Sequence, residues 1–350
     1  MSNLDDRPDV VTCAAEEGAG VQLLTPREVP LGGPRAMTVR RTLPQRERSL
    51  VGAWCFVDHY GPDDVADSGG MSVAPHPHTG LQTVSWLFTG EIEHRDSAGN
   101  QAMVRPGEVN LMTAGHGISH SEVSTAETRT LHGAQLWVAL PDAARDQPPG
   151  FAHHAPSPVS GEGWEARVFL GSLLGDTSPV PTATPLLGAE LLLEPGAALE
   201  LDVDPSYELA VLVDLGRLDV AGTTAERSDL AFVPPGQDRL RLAAHDEPVR
   251  VLLLGGPPFG EAIVMWWNFV GRSHEEIVGF REQWQAQILD DGGVPVDPDE
   301  AGGLREGDGR QRVVPDGQQV RDGRFGVVVG EHLAPIPAPS LPNARLRERR

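Results

Sequence analysis

Lysine is absent from this chain of 350 residues, and all 28 of its basic side chains are arginine. We read that bias as codon usage without a functional message. Cysteine is nearly absent too: Cys13 and Cys55 are too few for a disulfide framework. Cys55 falls in the apolar run Trp54-Cys55-Phe56-Val57 and reads as a buried free thiol. No apolar stretch approaches the ~20 residues that a membrane-spanning helix needs. The opening MSNLDDRPDV lacks the apolar segment of a secretory leader, so a cytoplasmic protein with no membrane partner is expected. Positive charge is scarce: the formal net charge is -22 and the pI about 4.8, which argues against direct contact with nucleic acid or an anionic membrane. There is no phosphate-binding Gly-rich loop, no Gly-x-Gly-x-x-Gly, no Ser-His-Asp order and no Cys-x-x-Cys. Nucleophilic and dinucleotide chemistries therefore have no support.

Glycine (40) and proline (31) are abundant, and 39% of residues are hydrophobic, which suits many short strands joined by turns. Alternating or β-branched runs dominate from Val21 to Leu254, among them Leu81 to Phe88 and Ala134 to Ala139. Gly or Pro clusters such as Gly32-Gly33-Pro34 and Pro106-Gly107 interrupt them. The Pro-, Gly- and small-residue stretch from Pro141 to Trp164 reads as an inter-domain linker. A second β series follows, and Pro195-Gly196 matches Pro106-Gly107 as a weak internal repeat. The chain is long enough for two domains, here 1–145 and 146–290. One strong helix is expected from Ser273 to about Leu289, with Ser273 and Glu276 as a capping box and Ile277, Phe280, Trp284 and Ile288 as its apolar stripe. Trp266-Trp267 before it reads as a core anchor. The acidic, then Pro-rich tail 291–350 is expected to be partly disordered, with Arg324 to Val329 docking as one strand.

Seven of the twelve histidines lie between His59 and His132. His76-Pro77-His78 and His120-Ser121-Glu122 each have i, i+2 spacing, which puts the outer two side chains on one face of a strand. Two such strands across a barrel interior bring His76, His78, His120 and Glu122 to one point. That donor set suits Fe, Mn, Ni, Cu or Zn, and with open positions it suits a redox-capable ion. The bland alternative is a set of turn or core histidines. His116, between two glycines, reads as a turn residue at a pocket mouth, and His94 as solvent-facing or in support of a ligand. His59 reads as a loop residue or as the support of a ligand imidazole. His153-His154 receives no role. Trp86 and Phe88 share one strand face, and they either shape a pocket or fill the core.

From Pro75 to Glu122 the chain resembles the pirin family, a two-domain branch of the cupin superfamily. The matching residues are His76-Pro77-His78-Thr79-Gly80, Thr83-Val84-Ser85, His94-Arg95-Asp96-Ser97, Pro106-Gly107-Glu108-Val109 and Met112 to Glu122. Arg40 to Pro44 and Phe56 to His59 are similar to the family's opening strands, and Gly255 to Pro258 with Trp267 to Val270 to its closing region. The resemblance covers about residues 20 to 290 and implies an all-β fold: two antiparallel cupin-type, jelly-roll-like β-barrels with a short C-terminal helix. It implies one divalent ion, Fe(II) first with Cu, Mn, Ni, Co or Zn as alternatives, held by His76, His78, His120 and Glu122. Where the general cupin pattern has a glutamate, this chain has Gln82, which leaves Glu122 as the carboxylate ligand. The second module offers Glu200, Asp202, Asp204 and Glu208 but no paired imidazoles, so no metal is expected there.

The family resemblance further implies a dioxygenase of the quercetin 2,3-dioxygenase kind, taking a small aromatic flavonol-like substrate and dioxygen. A catalytic base must take the substrate hydroxyl proton, and Glu122 is placed to do so if its metal bond loosens. A metal- or redox-sensing protein that binds a protein partner without turnover is the alternative. A cupin that has kept its metal and lost its substrate pocket is the third.

Overall fold

The structure, a computed structural model, describes residues 20–31, 37–67, 70–288 and 323–349. Cys13, Leu289 and tail residues 291–322 lie outside the described residues. Two cupin-like β-barrels account for most of it, each built from a seven-stranded and a four-stranded antiparallel sheet. In the first, the large sheet runs Gly150–His154, Val109–Thr113, Leu81–Thr89, Thr130–Ala139, Trp54–Asp64, Met37–Leu43 and Arg27–Leu31. The small sheet runs Ser72–His78, Ile118–Ser124, Ile92–Asp96 and Gln101–Val104. In the second barrel the large sheet ends on Gln22–Leu24, a strand delivered from the N-terminal side of the chain to pair with Leu230–Val233.

Strands open to solvent on one side alternate in burial, as in Ile92–Asp96 and Arg239–Ala244. Leu81–Thr89 and Thr130–Ala139 are buried on almost every residue, because they have protein on both faces. Their even-numbered side chains, Val84, Trp86 and Leu136 among them, pack with Phe169, Leu212 and Leu252 of the second barrel. Trp86 stacks on Phe169 with centroids 4.6 Å apart. Trp86 and Phe88 thus belong to the joint between the barrels, and the pocket role considered for them is set aside. The second barrel is filled by aliphatic side chains such as Val168, Leu191, Leu201, Val211, Leu240 and Leu253. Glu200, Asp202 and Asp204 are exposed around it, and Glu208 accepts from the Gly52 amide at 2.7 Å.

Two expectations are corrected. The stretch taken for a linker contributes Gly150–His154 to the edge of the first barrel's large sheet, paired with Val109–Thr113. Its Pro-rich flanks obscured a strand of five residues. Arg324 to Val329 docks, but as irregular chain. Phe325 is fully buried near Trp284 and Phe269, with centroids 5.5 and 5.8 Å away. The carbonyl of Gly326 accepts from Ser119 Oγ and Gln287 Nε2, so it has no place in a ladder.

The helix spans His274–Ile288, and all four stripe residues are buried. Ser273 Oγ accepts from the Glu276 amide at 3.1 Å, while the Glu276 carboxylate returns to the amide of Arg272, one residue earlier than a standard capping box. Trp266 and Trp267 are buried, as expected of core anchors. No helix among the described residues is long and apolar enough to cross a membrane.

The tail's anchorage yields a stability prediction. Phe325→Ala is expected to cost about 3–5 kcal/mol in equilibrium urea unfolding, the range for deleting a buried aromatic ring. A cost below about 1 kcal/mol would mean that the tail is not part of the cooperative unit.

Candidate metal centre

The two histidine-bearing strands are neighbours in the small sheet, and His76 stands opposite His120 in their register. They were expected to face each other across the barrel; adjacency brings the imidazoles together more directly. The donor atoms of His76, His78 and His120 lie within 4.8 Å of one another, and all three residues are fully buried. A shift in register between His120 and Glu122 displaces the carboxylate along the strand. Glu122 therefore groups with His94 and His120 within the same 4.8 Å limit.

What the other ring nitrogens do decides the chemistry. A backbone carbonyl can only accept, so His76 donates Nδ1–H to Ala74 at 2.8 Å and His78 donates Nδ1–H to Asn268 at 3.0 Å. In each ring Nε2 is then the nitrogen that carries the lone pair. On the other flank His94 donates Nε2–H to Asp96 Oδ2 at 3.2 Å, so its Nδ1 accepts from His120 Nδ1 at 3.3 Å. His120 Nε2 then carries the lone pair as well. It faces His78 Nε2 at 3.1 Å, two lone pairs with no proton between them. At metal–nitrogen bonds of about 2.1 Å that separation fits two neighbouring ligands of one cation.

Burial, reinforced by the neighbouring imidazoles, keeps His76 and His120 well below the ordinary histidine range. Burial takes His78 down to about 3. All three are neutral near pH 7, the form that binds metal.

The supporting groups are the Ala74 carbonyl, the Asp96 carboxylate and the Asn268 carbonyl. Asp96, two residues after His94, is itself held by the amides of Ala98 and Asn100. The Asn268 carbonyl comes from the two-residue turn of the hairpin Val264–Trp266 and Phe269–Gly271, where Trp267 adopts φ +52°. That hairpin lies against the residues after His78, with the Val270 amide donating to Thr79. Gly80 permits the approach: at φ +65°, a Cβ there would stand 2.4 Å from the Val270 carbonyl oxygen. Neither Asp96 nor Asn268 was singled out from sequence. His94-x-Asp96 has the spacing that could have signalled the first, whereas a backbone carbonyl leaves no trace in residue type.

Other expectations fare differently. His94 is buried in support of His120, rather than facing solvent. His116 is an exposed turn residue at a cavity of about 290 Å³ also lined by Pro148 and Phe325. Gln82 shares the outward strand face of Val84 and Trp86 and donates to Thr113 Oγ1, so that position cannot reach the imidazoles. His153 Nδ1 meets Asn110 Oδ1 at 2.6 Å. The catalytic role expected of Glu122 finds a buried carboxylate beside His120 and His94.

His59 is neither a loop residue nor the support of a ligand. It sits in Trp54–Asp64 at the joint between the barrels, with His132 and Asp214. Asp214 Oδ1 takes both Nε2 atoms, from His59 at 2.7 Å and His132 at 2.5 Å, and Asp214 Oδ2 takes Arg250 Nε at 2.5 Å. Arg250 also points Nη2 at His132 Nδ1, 3.4 Å away. An arginine can only donate, so His132 carries its proton on Nε2 and gives it to the carboxylate. Burial works to raise the Asp214 carboxyl, but the hydrogen bonds from His132 and His59 hold it well below the usual range. A cation would have to displace those protons beside a guanidinium. This cluster is a hydrogen-bonded clasp.

The Pirin family profile matches residues 36–138, and the Pirin C-terminal cupin domain profile matches residues 188–290. A Pseudomonas aeruginosa protein named "Putative quercetin 2,3-dioxygenase PA1205" is 45% identical over 289 residues, covering 81% of this chain and 91% of that protein. A "Pirin-like protein" of Caulobacter vibrioides is 38% identical over 71% of this chain and 88% of its own length. The crystal structure of a quercetin 2,3-dioxygenase from Acinetobacter baumannii superposes with a TM-score of 0.79 at 33% identity, covering 95% of this chain and 98% of that one.

The neutral imidazoles set a pH dependence. Burial lowers the folded-state pKa of His59, His76, His78 and His120, so the unfolded chain binds more protons below about pH 6.5. Stability of the metal-free protein is therefore full above that pH and falls below it, by ~1.4 kcal/mol per pH unit for each imidazole. Urea midpoints at pH 7.5 and 5.5 test this, and equal midpoints would contradict buried neutral rings.

Proposed function

The chain belongs to the pirin family, and from that premise we propose that it is a mononuclear metal dioxygenase acting on a flavonol-like enol or phenol. The observation that carries the proposal is the proton arrangement. His76 and His78 give Nδ1–H to fixed backbone carbonyls, His120 gives Nδ1–H to His94, and each of the three buried rings keeps its lone pair on Nε2, with all three donor groups within 4.8 Å of one another. Those three residues, with Glu122 as the fourth, would hold one divalent ion. When bound, the ion would supply Lewis acidity toward a substrate oxygen and open positions for substrate or dioxygen, with Fe(II) the first candidate and Cu, Mn, Ni, Co or Zn the alternatives.

The side chains of the protein do the rest. Asp96 fixes the His94 ring, and His94 fixes the tautomer of His120, the carboxylate–histidine support often found behind metal ligands. Exclusion of water keeps the imidazoles neutral and strengthens every interaction made between them. Glu122 is the residue to take the substrate hydroxyl proton, at a carboxylate oxygen beside His120. The dioxygenase names of the Pseudomonas and Acinetobacter proteins support the same reaction class.

His120→Ala is expected to abolish stoichiometric metal in anaerobically purified protein, and Asp96→Asn to weaken metal affinity by roughly 10–100-fold with the fold intact. Elemental analysis and competition with a chelator measure both. Unchanged metal content in His120→Ala would sink the ligand assignment. Protein loaded with iron, copper or manganese that consumes no oxygen with any polyphenol would sink the flavonol reaction.

A further inference from the structure

The wall of the first barrel that faces the imidazoles carries hydrogen-bond donors with nothing to donate to. Gly133, Gln135 and Trp137 succeed one another on one face of Thr130–Ala139, and in register Tyr60 lies opposite Gly133, Asp58 opposite Gln135 and Phe56 opposite Trp137. This face looks at the candidate metal centre. Trp137 meets the His78 ring edge-on at 5.2 Å, and Tyr60 is near enough to feel the charge of Glu122. The row from Gly133 to Trp137 is about 14 Å long at ~3.4 Å per residue. Trp137 lies at the His78 end of this row and Tyr60 toward Glu122, with Gln135 between them.

All three polar groups in this row are buried to within 1% of full occlusion. The Tyr60 hydroxyl, the Gln135 Nε2 and the Trp137 Nε1 have no hydrogen-bond partner. Buried donors left without an acceptor are costly, so they call for an explanation. Two features hold them as donors. Ser85 Oγ donates to Gln135 Oε1 at 2.9 Å, which turns the amide nitrogen away from Ser85. Burial raises the Tyr60 phenol well above its ordinary range, with Glu122 and Asp58 adding to the effect, so the hydroxyl keeps its proton. Arg41 and Asp58, beside them, satisfy each other through two hydrogen bonds of 2.6 and 2.8 Å and leave the row to its own ligand.

We propose that Tyr60 and Gln135, flanked by Trp137, are an oxyanion-binding wall that positions a small ligand with two adjacent electron-rich oxygens, an enolate or enediolate, against the metal. Preorganised donors opposite a cation favour an atom that carries negative charge, and they reject a ligand without one. Tyr60 and Gln135 touch the ligand, and Ser85 is a positioning residue that acts through Gln135. The assignment rests on the metal reading above and is independent of the dioxygenase reaction.

The test uses no turnover. Cobalt(II)-loaded protein is titrated with acetohydroxamate, a bidentate oxyanion, and binding is followed in the cobalt d–d absorption. Tyr60→Phe and Gln135→Met are each expected to weaken binding by about 10–100-fold, the range for a lost hydrogen bond to a charged group, with cobalt stoichiometry unchanged. Ser85→Ala is expected to weaken it less than Gln135→Met does. Affinities within twofold of wild type in both wall variants would overturn the proposal. Tyr60→Phe removes one oxygen and no packing, so it decides the matter alone if Gln135→Met is unstable. Wild-type protein that takes up no cobalt would overturn the metal reading and this wall with it, and it announces itself before ligand is added. Failure to oxidise polyphenols leaves the titration as it stands.

Discussion

His78 donates its Nδ1 proton to the carbonyl of Asn268, 190 residues further along, and the chemistry of the first barrel depends on that bond. An imidazole has two nitrogens and one proton when neutral, so fixing the proton on one nitrogen makes the other a ligand. The carbonyl of Ala74 does the same for His76 through a local contact, and the Asp96–His94 pair does it for His120 through a relay. Three different devices thus produce one result. Among them the Asn268 bond alone reaches across the second barrel, whose strands lie between His78 and its acceptor in the chain.

The clasp at the joint uses the same residue types to the opposite end. His59 and His132 also converge on one point with an acidic partner, yet there the carboxylate of Asp214 stands where bare lone pairs would have to meet. Arg250, which is only a donor, forces the His132 proton toward Asp214, whereas the Asn268 carbonyl, which is only an acceptor, draws the His78 proton away from the centre. A count of histidines and acids within 4.8 Å cannot separate the two clusters. The polarity of the group behind each ring can.

That distinction also marks how far the sequence could be read. The His-x-His and His-x-Glu motifs are local, and strand alternation carries their geometry, so His76, His78 and His120 converge as expected. The helix was equally legible, because a cap and an apolar stripe are local signals. Side-chain face was not. Trp86 points out of the barrel because an even-numbered register along Leu81–Thr89 faces the partner barrel, and an isolated strand does not say which of its faces is inside. His59 pairs with Asp214 across 155 residues, and the tail packs through Phe325 in a stretch without periodicity. Each miss is a long-range contact whose cause lies in the other half of the chain.

The aliphatic second barrel acquires a purpose on this view. The large sheet of the first barrel has two faces: one turned to the imidazoles, with Tyr60, Gln135 and Trp137, and one turned away, with Val84, Trp86 and Leu136. A sheet with Trp and Val on its outer face would be exposed and mobile alone. Packed against Phe169, Leu212 and Leu252, it becomes a rigid backing, and the row of donors on its inner face keeps its spacing. The same barrel then hands the chain back through Ile263 to Gly271, where Gly80 leaves just enough room for the returning hairpin to reach His78. A lesion there would remove the proton acceptor of His78 without touching an imidazole, and the second barrel would thereby decide whether the first can bind.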